Sequence, residues 1–209
     1  MVEKIIHQIW VGTFKIPLRE KQYVQTIKSL NPDIKHILWE DIDNEIPDNL
    51  KKWYSKFYNI KNYAFCADIL RIWLVYKYGG IYLDIDFNIS KPLDDMFCNN
   101  GSLFYHNETD FTIPNNIFVF KKESPILEYC INSINEHNSW HGPSWFGSII
   151  KKYLELEYTA NQSTVMDKLY DYGILYKQYY EFELTYGKHM SLYSWSPEIW
   201  NRLNDNEQL

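Results

Sequence analysis

The sequence predicts a single α/β domain over residues 1–209, built on a mainly parallel central sheet flanked by helices. Two observations carry this expectation. Strand-like and helical patterns alternate along most of the 209 residues, and the compact solution to such alternation is a parallel sheet covered by helices. Hydrophobic residues make up 45% of the chain and aromatic residues 18%, enough for one core and too many for disorder. No repeat, low-complexity tract or linker divides the chain.

Residues 4–10, Lys-Ile-Ile-His-Gln-Ile-Trp, are short, apolar and β-branched, and they run into Val11-Gly12. They read as a buried strand, with His7 as a core histidine. Tyr23, Ile27 and Leu30 recur at helical spacing until Asn31-Pro32 stops the run. Residues 34–39 suggest a second strand, and Pro47 opens a helix through Leu50, Trp53, Tyr54 and Phe57. The longest helical pattern covers about 62–78 and ends at Gly79-Gly80, where a left-handed cap is sterically cheap. An alternating strand over 81–87 follows at once, its even positions sharing one face. Further strands are expected at 102–106 and 117–120, and helices near 125–137 and 145–157. The last fifty residues predict short strands and Tyr-rich loops.

Composition excludes several classes. A net charge of −6, from 27 acids and 21 bases, argues against broad binding along a nucleic-acid backbone. Cys66, Cys98 and Cys130 are too few and too scattered for a disulfide scaffold or zinc knuckle, and predict reduced, buried thiols. No stretch approaches the roughly 20 apolar residues of a membrane span, and no secretion signal opens the chain. A cytoplasmic protein is expected, in a bacterium or in the host cytoplasm of a virus. The Asn-x-Ser/Thr sequons at Asn88, Asn107 and Asn161 are then accidental. The excess of 18 Tyr, 11 Phe and 8 Trp makes a ring-binding cleft a reasonable expectation.

Asp84 and Asp86 stand two apart at the end of the 81–87 strand, so their carboxylates point the same way. Such a pair suits Mg²⁺ or Mn²⁺, which take one or two carboxylates together with substrate phosphates. The alternative is a solvated acidic strand end. Asp68 and Arg71 share one face of an otherwise apolar helix, an arrangement suited to gripping hydroxyls and phosphate oxygens. The alternative there is a surface ion pair of little energetic worth.

The blocks Ala67-Asp68-Ile69-Leu70-Arg71-Ile72 and Tyr78-Gly79-Gly80-Ile81-Tyr82-Leu83-Asp84-Ile85-Asp86 resemble the signature of glycosyltransferase family 32, the Asp-x-Asp sugar transferases. The large clostridial glucosylating toxins share similar motifs. The opening Lys4–Gly12, the segments Asn115–Phe118 and Ser124–Leu127, and His141-Gly142-Pro143 are similar to other blocks of that family, in the same order. The resemblance implies a GT-A fold, a nucleotide-sugar donor with UDP-glucose foremost, then UDP-galactose, UDP-N-acetylglucosamine and GDP-mannose, and Mn²⁺ or Mg²⁺ as cofactor. It implies a glycan or other hydroxyl acceptor and retention of anomeric configuration. Carried over by position, Ile9, Trp10, Asp68, Arg71, Tyr82, Asp84, Asn116 and Trp195 bind the donor, with Trp10 stacked on the nucleobase. Asp68, Arg71, Asp84 and Asp86 carry the chemistry. Asp86 and Asp84 hold the metal, with His189 as third ligand in competition with His106, His137 and His141.

Two other chemistries compete for the same residues. An Asp-x-Asp phosphatase or phosphotransferase would use Asp84 as nucleophile, but such enzymes usually carry Thr or Val where Asn88 stands. A noncatalytic sugar-binding module would explain the aromatics and leave the Asp68/Arg71/Asp84/Asp86 set unexplained.

Overall fold

The computed structural model of the chain describes residues 1–40, 42, 44–97, 99–105, 112–136 and 142–190. Its elements run β1 (Ile5–Ile9), α1 (Leu18–Leu30), β2 (Lys35–Trp39), α2 (Asp48–Asn59), α3 (Tyr63–Tyr78), β3 (Gly80–Leu83) and β4 (Phe87–Ile89). They continue with β5 (Gly101–Tyr105), β6 (Ile117–Phe120), α4 (Pro125–Glu136), α5 (Gly142–Tyr153), α6 (Gln162–Asp171), β7 (Ile174–Gln178), α7 (Tyr179–Thr185) and β8 (Gly187–His189). The main sheet has the order β2-β1-β3-β6-β5-β7. Five of its strands point one way, and β6 alone runs antiparallel to its neighbours β3 and β5. Strands β4 and β8 form a separate antiparallel ribbon.

Side-chain alternation sorts the interior into two layers. Ile9, Tyr82, Leu103, Phe118, Phe120, Ile174 and Tyr176 meet residues of α2 through α6 on one face. Ile6, Ile81, Leu83, Phe104, Ile117 and Val119 meet Ile27 of α1, Phe87 and Phe182 on the other. This period of two is what a sheet buried on both faces requires. The chain leaves β1 through α1 on one face and returns from β2 to β3 through α2 and α3 on the other. β1 is thus a switch point, and in such sheets the ligand crevice lies at the carboxyl ends of the strands there, here β1 and β3.

Helix α3 delivers the chain to that crevice. Its N-terminus is capped by Asn62, whose side chain accepts from the Phe65 amide at 3.3 Å. Its C-terminus requires glycine twice. Gly79 has φ +67°, and a Cβ there would overlap the Glu3 carboxylate; Gly80 has φ +109°, and a Cβ there would overlap the Ile5 carbonyl. These glycines let β3 lie directly against β1.

Several expectations are corrected. The continuous strand over 81–87 breaks after Leu83: Asp84 is outside any strand and Ile85-Asp86 form a turn before β4. Period-two alternation cannot reveal a turn that keeps apolar residues buried on both sides of it. α5 starts three residues earlier than expected and ends at Tyr153. The C-terminal region, expected as short strands and loops, also holds helices α6 and α7. Helix α6 was signalled by the Asn161 cap, which accepts from the Thr164 amide at 2.9 Å, and by buried Val165 and Leu169.

Cys66 and Cys130 are free and buried, and burial pushes the Cys66 thiol up to about 12; Cys98 lies outside the described residues. No helix among the described residues is long and apolar enough to cross a membrane. His7 is fully buried: its Nε2–H donates to the Gly79 carbonyl at 2.8 Å, and its Nδ1 accepts from the Trp39 indole at 3.1 Å. Burial holds it neutral and lowers its pKa from 6.5 to about 4.

A histidine depressed in the fold gives its full stability above pH 6.5, and loses it as pH falls toward 4 because the unfolded chain takes the proton first. For His7 the loss amounts to about 3 kcal/mol. Urea unfolding at pH 7 and pH 4.5 should show this decline, to which His36, lowered by burial from 6.5 to about 4, adds its own part, and His7→Phe should reduce the slope by the His7 share whatever its effect at pH 7. An unchanged slope in the variant would remove His7 as the cause.

Candidate active site

The crevice is organised around one buried guanidinium. Arg71 is almost wholly enclosed, yet it has a partner on every side. Its Nη2 lies 3.3 Å from Asp68 Oδ1 and 3.3 Å from Asp84 Oδ1. Its Nη1 donates to the Asn115 carbonyl at 2.8 Å and to Asn115 Oδ1 at 3.2 Å. Its Nε donates to the Ala67 carbonyl at 3.3 Å. The guanidinium carbon lies 4.6 Å from the centre of the Tyr82 ring, within cation–π range. Asp68 Oδ1 also accepts from Asn115 Nδ2 at 2.8 Å. Burial alone would favour deprotonating Arg71, but Asp84, Tyr82, Asp68 and Asp86 together hold its proton more tightly than usual.

Asp84 extends the β3 face that carries Tyr82, whose hydroxyl donates to Asp84 Oδ1 at 2.5 Å. Its backbone is held from both sides. The Asp84 amide donates to the Asn116 carbonyl at 2.9 Å, and the Asp84 carbonyl accepts from Gln8 Nε2 at 3.2 Å. Gln8 Oε1 in turn meets His36 Nε2 at 2.8 Å. Burial raises the Asp84 pKa and Asp86 adds to this, against the opposing pull of Arg71.

The turn after β3 brings Asp86 back toward Asp84, and β8 adds His189. His189 Nε2 lies 2.9 Å from Asp86 Oδ1 and 3.8 Å from Asp84 Oδ2. The Met190 amide donates to the Asp86 carbonyl at 3.0 Å, and the Phe87 ring packs 4.8 Å from the imidazole. One ligand atom from each of Asp84, Asp86 and His189 falls within 4.8 Å of the others. Burial lowers the His189 pKa, but the bond to Asp86 and the charges of Asp84 and Asp86 outweigh it and raise it.

Electrostatics gives the cluster its demand. Among the described residues, Asp68, Asp84 and Asp86 face the one guanidinium of Arg71, so carboxylates outnumber the fixed positive charge beside them. Glu20 of α1 is only 1% exposed and adds a carboxyl whose pKa is raised by burial and by Asp86. Carboxylates concentrated at low dielectric need a cation or protons. Two carboxylates and an imidazole at this spacing fit a divalent ion. The reading of Asp86 as a solvated strand-end acid is corrected, since it is 7% exposed.

The structure therefore brings Asp68, Arg71, Tyr82, Asp84, Asp86 and His189 into one constellation. Trp10 follows the end of β1, half-buried and outside both core layers, with its indole N–H donating to the Phe14 carbonyl at 2.8 Å. Ile9 is packed in the core, so it can meet a ligand only through its backbone. Asn116 turns its side chain to Tyr179 and His189. Trp195, His106, His137 and His141 lie outside the described residues. Sequence reasoning missed Asn115, Gln8 and Tyr179. Asn115 stood in a block already singled out, beside Asn116; a long-range partner such as Tyr179 left no local signal.

Comparison with known proteins agrees with this geometry. Residues 17–103 match the family model described as the glycosyltransferase sugar-binding region containing DXD motif. The chain is 32% identical over 139 residues to inositol phosphoceramide mannosyltransferase 3 of Schizosaccharomyces pombe, covering 64% of this chain and 37% of that protein. It is 29% identical over 173 residues to the uncharacterized glycosyltransferase L373 of Acanthamoeba polyphaga mimivirus, covering 78% of this chain and 68% of that one. It thus spans little more than a third of the yeast relative's length. Among solved structures, PaToxG Glycosyltransferase superposes with a TM-score of 0.63 at 21% identity, over 81% of this chain and 75% of that one. That likeness shows the GT-A fold.

Removing one partner from a buried ion pair leaves charge uncompensated, typically at a cost of about 3–5 kcal/mol. Arg71→Met should lower the urea-unfolding free energy by about that much. A loss below about 1 kcal/mol would mean that the guanidinium is not what holds Asp68 and Asp84.

Proposed function

We propose that this chain, whose residues 17–103 carry the DXD-type sugar-binding region of glycosyltransferases, transfers a hexosyl group from a nucleotide-diphosphate sugar to a hydroxyl acceptor with retention of configuration. The observation that carries this reading is the Asp84-Asp86-His189 cluster beside the Arg71 network, at the switch point of a GT-A sheet. A divalent cation held by Asp84, Asp86 and His189 would supply charge neutralisation for the departing diphosphate. The imidazole nitrogen among the ligands favours Mn²⁺ over Mg²⁺, which prefers an all-oxygen shell.

The residues of the chain divide the remaining work. Arg71 fixes the Asp84 carboxylate, so that its direction toward the cation position is set before a ligand arrives. Trp10 offers a partly exposed indole at the strand end, suited to stacking on the nucleobase. Asp68, held by Arg71 and Asn115, is placed to accept from sugar hydroxyls at the edge of the crevice. The new bond joins the acceptor oxygen to the anomeric carbon as the bond from that carbon to the phosphate oxygen breaks. Among the described residues Asp68, Asp84 and Asp86 are all engaged with Arg71 or His189, which supports a route in which the acceptor proton passes to the leaving phosphate. Attack and departure then share one face of the sugar, and configuration is kept.

Mannose becomes the first donor sugar to test, because the yeast relative is named for mannosyl transfer; GDP-mannose is followed by UDP-glucose. Slow donor hydrolysis with Mn²⁺, recorded by NMR before the freed sugar mutarotates, should release the α-anomer first. Initial β-sugar would defeat retention while leaving the transferase standing. Asp86→Asn should lower Mn²⁺-dependent hydrolysis by about a hundredfold or more; full activity would exclude Asp86 as a ligand. Calorimetry of the nucleoside diphosphate should show Trp10→Ala binding weaker by about 1–3 kcal/mol. Unchanged affinity would give the base another platform.

A further inference from the structure

Asn116 stands just before β6 and is fixed to the acidic turn by its own backbone, whose carbonyl accepts from the Asp84 amide at 2.9 Å. Its side-chain amide lies between two partners. Nδ2 is 3.1 Å from the Tyr179 hydroxyl and 3.2 Å from His189 Nδ1. The other end of the amide, Oδ1, is buried and has no hydrogen-bond partner among the described residues. The neighbours are well anchored: Tyr179 is buried, and Phe87 packs against the imidazole.

The amide orientation and the imidazole tautomer are tied to each other. With Nδ2 facing both partners, the amide donates one N–H to Tyr179 and one to His189 Nδ1. Nδ1 is then an acceptor, and a neutral imidazole carries its proton on Nε2, donating to Asp86 Oδ1 at 2.9 Å. That is the wrong tautomer for binding a cation, which needs the Nε2 lone pair. A half-turn of the amide about its last side-chain bond reverses the arrangement without moving the backbone. Oδ1 then accepts from the Tyr179 hydroxyl and from His189 Nδ1–H, and Nε2 is bare toward Asp84 and Asp86. The imidazole stays neutral, losing a proton at Nε2 and gaining one at Nδ1. In the present orientation the far end of the amide has no hydrogen-bond partner among the described residues to hold it against the turn, so occupancy of the cation site can decide between the two.

We propose that Asn116 is a positioning residue that sets the tautomer of His189, presenting its amide nitrogen to Nδ1 in the cation-free protein and its amide oxygen when a divalent cation is bound. The proposal rests on the reading of Asp84, Asp86 and His189 as a cation site and assigns Asn116 a task in that site apart from contact with the donor.

The test uses the full chain labelled with ¹⁵N-histidine, with the His189 signal identified by its loss in His189→Gln. In the cation-free wild type, His189 should be the Nε2–H tautomer. In cation-free Asn116→Asp, where only an acceptor can face Nδ1, it should become Nδ1–H. Mn²⁺ calorimetry should show Asn116→Leu weakened by about 10–100-fold, the range for losing a partner that orients a metal-bound histidine. Asn116→Asp should bind at least as tightly as wild type. An unchanged tautomer in Asn116→Asp overturns the proposal even if Asn116→Leu proves too unstable to assay, and so does wild-type Mn²⁺ affinity in Asn116→Leu. A wild-type protein that fails to bind Mn²⁺ overturns the cation reading itself, whereas the tautomer comparison still decides whether Asn116 governs His189.

Discussion

The site depends on the burial of Arg71. A guanidinium enclosed by protein must be surrounded by acceptors, and its fork can meet several at once in fixed directions. Here those acceptors come from three parts of the chain: Asp68 from the same helix, Asp84 from the end of β3, and Asn115 from the segment before β6. Satisfying one buried charge therefore aligns α3, β3 and β6 at the carboxyl edge of the sheet. The Tyr82 ring beneath the guanidinium adds a face that tolerates the cation and closes the pocket toward the core. Without Arg71, Asp68, Asp84 and Asn115 would lose the one partner they share, and the Asp84 carboxylate would be left to the Tyr82 hydroxyl and the His189 imidazole.

Among the described residues, acids outnumber bases around Arg71. One guanidinium faces three carboxylates, and the fold adds Glu20 nearby and places His189 where it touches two of the acids. A structural network would gain stability by matching its charges or by replacing them with apolar groups. Burial raises the Asp84 pKa, and the Asp86 contact with the charges of Asp84 and Asp86 raises that of His189, so the cluster favours bound protons. Such a cluster favours positive charge, which under the proposed function a donor diphosphate would bring with its counterion. Fold stability and ligand demand thus oppose one another here, as expected where strain is kept for binding.

Much of this was legible in the sequence, and the divide has a physical cause. Helix α3 announced itself because an apolar run closed by Gly79-Gly80 allows few alternatives. Asp68 and Arg71 were visible because three residues of helix place two charges on one face. Tyr82 and Asp84 were visible because a strand repeats every two. The convergence of Asp86 was anticipated for the wrong reason: a turn, not continued alternation, brings it back. His189 could be named only through resemblance to a family, since nothing local to Gly187–His189 says that β8 pairs with β4. Asn115 and Asn116 mark the limit most clearly. They are identical in sequence, yet one is held by Arg71 and Asp68 and the other by Tyr179 and His189.

That division between neighbouring asparagines has a consequence for how the site works as a unit. Asn115 closes the Arg71 network, whose hydrogen bonds are satisfied and whose geometry is rigid. Asn116, one residue on, faces a histidine whose proton can sit on either nitrogen, and its amide can serve as donor or acceptor at nearly the same position. Strand β6 therefore joins a fixed half of the site to an adjustable half. The fixed half keeps Asp84 aimed whether or not a ligand is present, which lowers the ordering cost of binding. On the proposed reading, the adjustable half would let His189 change from a partner of Asp86 to a ligand without moving the backbone, the Asp86 carboxylate being held by its histidine until a cation took the place of the Nε2 proton. Both halves are anchored on the same strand end, where the Asn116 carbonyl takes the Asp84 amide. Coupling between them needs no larger motion than the turn of one side-chain amide.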